Sequence, residues 1–181
     1  MALISVKQVN GDTQLGLWRL ETMQKGNVRQ QERAGVLQLL HQMTGNDSLV
    51  IGHQVDGKPY VEGYNISISH TRGYATILLS RSHEVGIDIE YRSCRVARIV
   101  SRFIRPDEVS PSVESQLIHW SAKEAVFKYF STDRLQFFEM RILPFVVAEQ
   151  GLIQVENMKR GQKVNVHYLL TDDYVLTYTV G

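Results

Sequence analysis

The chain has little of what marks several large classes of protein. Its 181 residues include one cysteine and four prolines. The lone Cys94 excludes an internal disulfide framework, which favours a reducing, cytoplasmic setting. Twenty basic and nineteen acidic residues leave a formal net charge of +1, so no general attraction to nucleic acid is expected. No hydrophobic run approaches the ~18 residues of a membrane span, so we expect no membrane association.

What the sequence does contain is an order of helix and strand patterns that occurs twice. A helix is predicted at 27–43, with Asn27 as N-cap and Gly45 as C-cap. The second half has a helical pattern at 95–103 and a longer helix at 114–130. Strands are predicted at 3–9, 48–54, 64–69, 74–79, 85–90, 139–148, 152–156, 164–170 and 174–180, and the run 15–20 is ambiguous.

These patterns predict an α+β fold built from two similar halves related by a pseudo-twofold axis. The halves would be 1–82 and 83–181, joined near 80–91. A chain of this length suits one domain or two small halves that share a core.

The segment 85–90, Val-Gly-Ile-Asp-Ile-Glu, is the first candidate site. Alternate side chains of a strand share a face, so Asp88 and Glu90 lie on one side at about 7 Å. Such carboxylates repel each other unless a cation lies between them, and Mg²⁺ typically binds one or two carboxylates with substrate phosphates. Gly86 on that face leaves room for another group to approach. The alternative is a half-buried strand with a wet polar face.

The helix at 116–130 supplies a third carboxylate. Trp120, Glu124 and Lys128 recur every four residues and form one stripe. A carboxylate with a lysine one turn away suits a metal and a phosphate. The alternative is an ordinary Glu–Lys pair on a solvated helix face, which contributes about 0.3–0.5 kcal/mol.

The strand end at 64–73 is the third candidate. Ser69 is expected to point away from the core, and His70 and Arg72 follow it before Gly73. Such side chains donate hydrogen bonds to phosphates, although a structural histidine in a turn is the alternative. The sequence contains no Gly-x-Ser-x-Gly elbow of a serine hydrolase and no histidine or cysteine pair with zinc-ligand spacing.

Four segments together resemble the 4′-phosphopantetheinyl transferases, in particular the monomeric type that activates surfactin and siderophore synthetases. They are Gly-Lys-Pro at 57–59, Ser-His-Thr at 69–71, the strand 85–90, and Trp-Ser-Ala-Lys-Glu-Ala-Val-Phe-Lys at 120–128. The resemblance is strong over 55–130 and depends on element order elsewhere.

This resemblance implies two similar α+β halves with coenzyme A and Mg²⁺, or Mn²⁺, in the cleft between them. The enzyme would move the 4′-phosphopantetheine arm of coenzyme A onto a serine of an apo acyl, peptidyl or aryl carrier protein. Adenosine 3′,5′-bisphosphate would be released. Asp88, Glu90 and Glu124 would ligate the metal, and Glu124 would take the proton from the serine hydroxyl.

The resemblance also implies contacts with coenzyme A. Lys123 and Lys128 would contact the pyrophosphate, with Lys128 acting in catalysis. An arginine of the first helix would touch the nucleotide. Lys58, Ser69 and His70 would hold the 3′-phosphate of coenzyme A. The full set of residues implied to contact coenzyme A is Arg33, Lys58, Ser69, His70, Lys123 and Lys128.

Five arginines form a basic stripe if 92–105 is helical: Arg92, Arg95, Arg98, Arg102 and Arg105. The stripe would steer an acidic carrier protein towards the enzyme, whereas the alternative is a solvated helix face. Two other functions remain open. One is a non-catalytic homologue that binds coenzyme A or carrier proteins, and the other is a Mg²⁺-dependent phosphodiesterase that acts on the same arm.

Overall fold

The computed structural model describes residues 2–20 and 28–181. Within these ranges the chain is a mixed α+β protein, as predicted. It divides into two compact units, one up to Val85 together with Gly181 and the other Gly86–Val180. The elements are β1 (Ala2–Gln8), β2 (Thr13–Arg19), α1 (Val28–Thr44), β3 (Gly52–His53), β4 (Pro59–Tyr60), β5 (Asn65–Thr71), β6 (Tyr74–Ser80), β7 (Val85–Tyr91), α2 (Val113–Tyr129), β8 (Met140–Ile142), β9 (Gln150–Asn157), β10 (Gln162–Leu170) and β11 (Tyr174–Val180).

The first unit packs α1 against a four-stranded sheet with the order β1-β2-β6-β5. Leu39 and Leu40 of α1 and Ile77 of β6 are fully buried in its core. The helix ends where predicted: Gly45 has φ +65°, and its N–H donates to the His41 carbonyl at 2.8 Å. The predicted N-cap, Asn27, lies outside the described residues.

The second unit packs α2 against a five-stranded sheet with the order β7-β11-β10-β9-β8. The helix begins after Ser112, whose hydroxyl accepts from the Ser115 N–H at 3.1 Å. Ile118 and Val126 of the helix meet Val155 and Val166 of the sheet in the core. Neither helix in the described part of the chain is long and apolar enough to cross a membrane.

Three sequence predictions differ from the structure. The predicted strand 139–148 is limited to Met140–Ile142, because Pro144 has no N–H for a ladder. The predicted strand 48–54 is limited to Gly52–His53, which pairs with the equally short β4. The predicted helix 95–103 folds as two short 3₁₀ helices, Cys94–Arg98 and Val100–Arg102.

Candidate active site

Helix α2 lies directly on strand β7 at Gly86. A Cβ atom on Gly86 would overlap the Ala125 carbonyl oxygen and come within 2.9 Å of the Tyr129 Cβ. The space that Gly86 is predicted to leave for an approaching group is therefore occupied by the backbone of the helix. The close approach brings the polar residues of α2 beside the carboxylates of β7.

Lys128 forms an ion pair with Asp88 across this contact. The Lys128 ammonium donates to Asp88 Oδ1 at 2.8 Å and to the Ile87 carbonyl at 2.9 Å. Asp88 is 4% exposed, whereas the Lys128 side chain is 27% exposed. A charge-assisted hydrogen bond of this length is strong. It neutralises part of the charge of a carboxylate that has little access to water.

Glu90 is held by a tryptophan of α2. Trp120 Nε1 donates to Glu90 Oε1 at 2.8 Å. Burial and the negative charges of Asp88 and Glu124 together raise the pKa of the Glu90 carboxyl to about 7, against the opposing hydrogen bond from Trp120 and the charge of Lys128. Near neutral pH, the Glu90 carboxyl is therefore present in both its protonated and its ionised form.

Glu124 is the third carboxylate of this group. Burial, and then the charge of Asp88, raises its pKa, while Lys128 lowers it. Among the residues that the structure describes, no hydrogen bond or ion pair to Glu124 is formed. This half-buried carboxylate is thus available to a ligand, in contrast to Asp88 and Glu90.

The three carboxylates suit a divalent cation in their chemistry. They are hard oxygen donors, and burial together with their mutual repulsion raises the pKa of Glu90 and Glu124, a repulsion that a cation relieves. Within 2–20 and 28–181, however, no three histidine, cysteine, aspartate or glutamate side chains are grouped closely enough to hold a metal. The donor set fits an ion such as Mg²⁺, which needs only one or two carboxylates and keeps water and phosphate ligands.

Lys123, the neighbour of Glu124, does not lie at this site. Its side chain is 0% exposed. The ammonium donates to Glu108 Oε2 at 2.7 Å, to the Phe103 carbonyl at 2.7 Å and to the Phe137 carbonyl at 3.3 Å. An ammonium has three hydrogens, and all three are used inside the protein. This corrects the expectation that Lys123 contacts the pyrophosphate of coenzyme A.

The other candidate residues lie in the first unit. Ser69 is largely covered, at 8% exposure, although alternation along β5 puts it on the face opposite the core residues Ile66 and Ile68. The half-exposed His70 has its Nδ1 3.5 Å from the Glu32 carboxylate of α1. Arg33 is exposed on α1. Lys58 follows a turn and pairs with Glu84 at 3.4 Å.

The predicted arginine stripe separates into two groups. Arg92 donates to Glu114 at 2.8 Å, and Arg105 donates to Asp107 at 2.8 Å, so both are tied to local carboxylates. The other three are exposed and form no ion pair with any residue the structure describes. We call them the arginine patch: Arg95, Arg98 and Arg102. Within Cys94–Arg98, residues three apart stand one above the other, as the 3₁₀ geometry requires.

Sequence reasoning missed the supporting roles of Glu108, Trp120 and Glu32. Trp120 was recognisable as a member of the Glu124 stripe, but its hydrogen bond to Glu90 depends on how α2 crosses β7. Nothing in the sequence marks Glu108 as the partner of Lys123, fifteen residues away. Nor does the sequence mark Glu32 as the neighbour of His70.

Comparison with known proteins identifies the family of this chain. The sequence has no match among curated proteins. A family model, that of the 4′-phosphopantetheinyl transferase superfamily, matches residues 84–179. The match covers more than half of the chain, including β7, α2 and the three carboxylates. The chain belongs to the 4′-phosphopantetheinyl transferase superfamily.

Proposed function

We propose that the protein transfers the 4′-phosphopantetheine arm of coenzyme A to a serine of an apo carrier protein and releases adenosine 3′,5′-bisphosphate. The observation that carries this proposal is the group of Asp88, Glu90 and Glu124, joined by Lys128, inside the segment that matches the family. Superfamily membership supports a phosphopantetheinyl transferase in general. The choice of a serine acceptor and the dependence on Mg²⁺ are finer parts of the proposal.

Glu124 is the proposed base. Its raised pKa makes it a better proton acceptor than an ordinary carboxylate, and no described residue occupies its oxygens. The carrier serine oxygen forms a bond to the phosphorus that bears pantetheine, and the bond from that phosphorus to the oxygen bridging the two phosphates breaks. The serine proton passes to Glu124, and the displaced phosphate stays with the adenosine moiety. The nucleophile is thus supplied by the partner protein.

Asp88, Glu90 and Glu124 are the proposed ligands of the divalent cation, Mg²⁺ or Mn²⁺, which would bind one or two of these carboxylates at a time together with water and phosphate oxygens. Such an ion, when bound, neutralises the pyrophosphate and the charge that develops on the leaving phosphate. Lys128, partly exposed beside Asp88, would add a second positive charge at the same place. The chemistry of phosphoryl transfer needs this charge more than it needs any covalent partner from the enzyme.

Residues of the first unit would bind the adenosine end of coenzyme A. His70 and Arg33 are accessible hydrogen-bond donors, and Lys58 directly follows the turn that contains Gly57. With Ser69 they form the proposed contacts to the 3′-phosphate and nucleotide. The arrangement of one active site in a cleft between two halves stays a prediction.

The arginine patch is the proposed docking surface for an acidic carrier protein. Its three guanidinium groups lack ion-pair partners among the described residues, so they are free to interact with acidic side chains. Arg92 and Arg105 are excluded from the patch because local carboxylates already pair with them. We expect the enzyme to act as a monomer on this partner.

Mass spectrometry of carrier proteins tests the proposed function. The protein is incubated with coenzyme A, Mg²⁺ and a panel of apo acyl, peptidyl and aryl carriers. We expect one carrier class to gain the mass of one phosphopantetheine, and EDTA to prevent the gain. Glu124→Gln should abolish the gain while coenzyme A still binds.

Two controls separate the competing functions. A holo carrier is incubated under the same conditions, and loss of mass would indicate a phosphodiesterase. Binding of coenzyme A without a mass gain in any carrier or metal would indicate a non-catalytic homologue. Transfer at the wild-type rate by Glu124→Gln would exclude Glu124 as base and as essential ligand.

A further inference from the structure

Lys123 has no ligand to contact in the proposed mechanism, although it stands beside Glu124. Its three hydrogen bonds go to Glu108 and to the carbonyls of Phe103 and Phe137. Phe103 directly follows the second 3₁₀ helix, which precedes α2, and Phe137 lies eight positions after Tyr129, the last residue of α2. The buried Lys123 ammonium therefore connects a segment that precedes α2 in sequence with a segment that follows it.

The rings of the same two phenylalanines pack against Trp120. The Phe103 and Trp120 rings meet edge-on, with centroids 5.2 Å apart and an interplanar angle of 83°. The Phe137 ring lies 5.0 Å from Trp120 at 31°. Aromatic pairs at these distances contribute about 0.5–1.5 kcal/mol beyond their burial. The indole is thus enclosed by two rings whose backbones Lys123 holds in place.

The indole N–H points to Glu90. Trp120 Nε1 donates to Glu90 Oε1 at 2.8 Å, and an indole has only this one donor. Because the plane of the ring is set by its aromatic neighbours, the direction of the N–H is set as well. The hydrogen bond therefore orients the Glu90 carboxylate, since one of its two oxygens must face the indole.

We propose that Trp120 is a positioning residue that orients the Glu90 carboxylate for a divalent cation, and that Lys123 acts on Glu90 through Trp120. The inference rests on the proposed function, which makes Glu90 a metal ligand. Partners that orient a ligand commonly change metal affinity or activity about 10- to 100-fold when they are removed. Lys123 thus supports the site from the interior of the protein.

Trp120→Phe tests the proposal, with Trp18→Phe as the matched control. Trp18 is a buried indole of the first unit, and the structure shows no hydrogen-bond partner for its Nε1 among the described residues. We expect Trp120→Phe to raise the Mg²⁺ concentration for half-maximal transfer about 10- to 100-fold, with kcat recovering at saturating Mg²⁺. Trp18→Phe should leave the Mg²⁺ dependence unchanged. An unchanged dependence in Trp120→Phe would overturn the proposal.

Indole nuclear magnetic resonance gives a readout that needs no turnover. The chain has two tryptophans, so its two indole N–H signals are assigned from the two Trp→Phe variants. Glu90→Ala should move the Trp120 signal and leave the Trp18 signal in place, and so should the paired variant Lys123→Met/Glu108→Leu. Addition of Mg²⁺ alone should shift the Trp120 signal in a saturable way.

The outcomes distinguish this inference from the proposed function. If wild-type protein transfers nothing to any carrier, the proposed function fails, while the response of the indole signal to Glu90→Ala and to Lys123→Met/Glu108→Leu still tests the contact pathway. Wild-type transfer that requires Mg²⁺, with a Trp120 indole signal that does not shift with Mg²⁺ or with Glu90→Ala, would refute the positioning role of Trp120. The transferase assignment would then stand.

Discussion

Removal of the buried Lys123 charge should cost the second unit much of its stability. The side chains of Lys123 and Glu108 are both 0% exposed and meet at 2.7 Å. Lys123→Met keeps the aliphatic stem but leaves the Glu108 carboxylate without its cation. Glu108 keeps only the backbone N–H groups of Arg105 and Ile142, each at 2.7 Å. Breaking such a buried pair from one side costs about 3–5 kcal/mol, against the roughly 5–15 kcal/mol of a whole domain.

Urea unfolding followed by circular dichroism measures this loss. We expect the midpoint for Lys123→Met to fall with little change in the slope against urea. The double variant Lys123→Met/Glu108→Leu should recover most of the lost stability, because replacing both charges by apolar groups is often close to neutral. Lys163→Met is the matched control, since Lys163 is exposed on β10, and it should change stability by less than about 0.5 kcal/mol.

Two results would contradict a buried Lys123–Glu108 ion pair. A loss below about 1 kcal/mol for Lys123→Met would be typical of an exposed ion pair and would mean that water reaches the ammonium. A double variant no more stable than the single variant would mean that the unpaired Glu108 charge is not the source of the loss. Either outcome would also weaken the path from Lys123 to Trp120.

Three further predictions concern other parts of the molecule. Gly86→Ala places a methyl group on the Ala125 carbonyl and should cost at least the roughly 1–3 kcal/mol of an overpacked core; a neutral effect on urea unfolding would contradict the close helix–strand contact. In EDTA, Glu90→Gln should become more stable than wild type as pH rises from the ordinary glutamate pKa of 4.5 to about 7, because folded wild type keeps a proton that its unfolded state releases. The difference in free energy of unfolding between the two proteins should reach roughly 3 kcal/mol above pH 7, and a difference that is constant with pH would contradict the prediction. Replacing all three residues of the arginine patch by glutamate should raise the KM for the carrier and weaken the salt dependence of that KM, while the KM for coenzyme A stays unchanged. A carrier KM equal to that of wild type would show that the patch is not the docking surface.

Much of the fold was predictable because period and turn chemistry are local properties. Strand β11 occupies the predicted 174–180, and Gly45 ends α1 with the expected positive φ. The segment 95–103 was harder, since arginines at spacings of three and four suit an α-helix and a 3₁₀ helix alike. The predicted strand 139–148 was too long because an apolar run favours a strand only as far as the next proline, and β8 ends two residues before Pro144.

The candidate site was predictable only where its geometry follows from one element. Alternation along β7 correctly put Asp88 and Glu90 on one side, and helical spacing correctly grouped Glu124 with Lys128. The burial of Lys123 had a sequence signal, since Val126 and Phe130 recur three and seven residues after it on the buried face of α2. Its partner Glu108 depends on the path of the chain between β7 and α2, which no local pattern specifies.

The 120–128 segment therefore divides by helical face rather than by residue type. Glu124 and Lys128 lie one turn apart, beside Asp88, where phosphate chemistry is proposed. Ser121 exchanges a hydrogen bond with Thr177 of β11 at 2.9 Å, and Lys123 ties down the aromatic residues around Trp120. Neighbouring residues of a helix point about 100° away from each other. The Lys123 side chain therefore lies in the interior of the protein, whereas the Glu124 side chain lies at the candidate site. A lysine in this segment is a ligand contact only if it shares the face of the carboxylates, and by that criterion Lys128 qualifies and Lys123 does not.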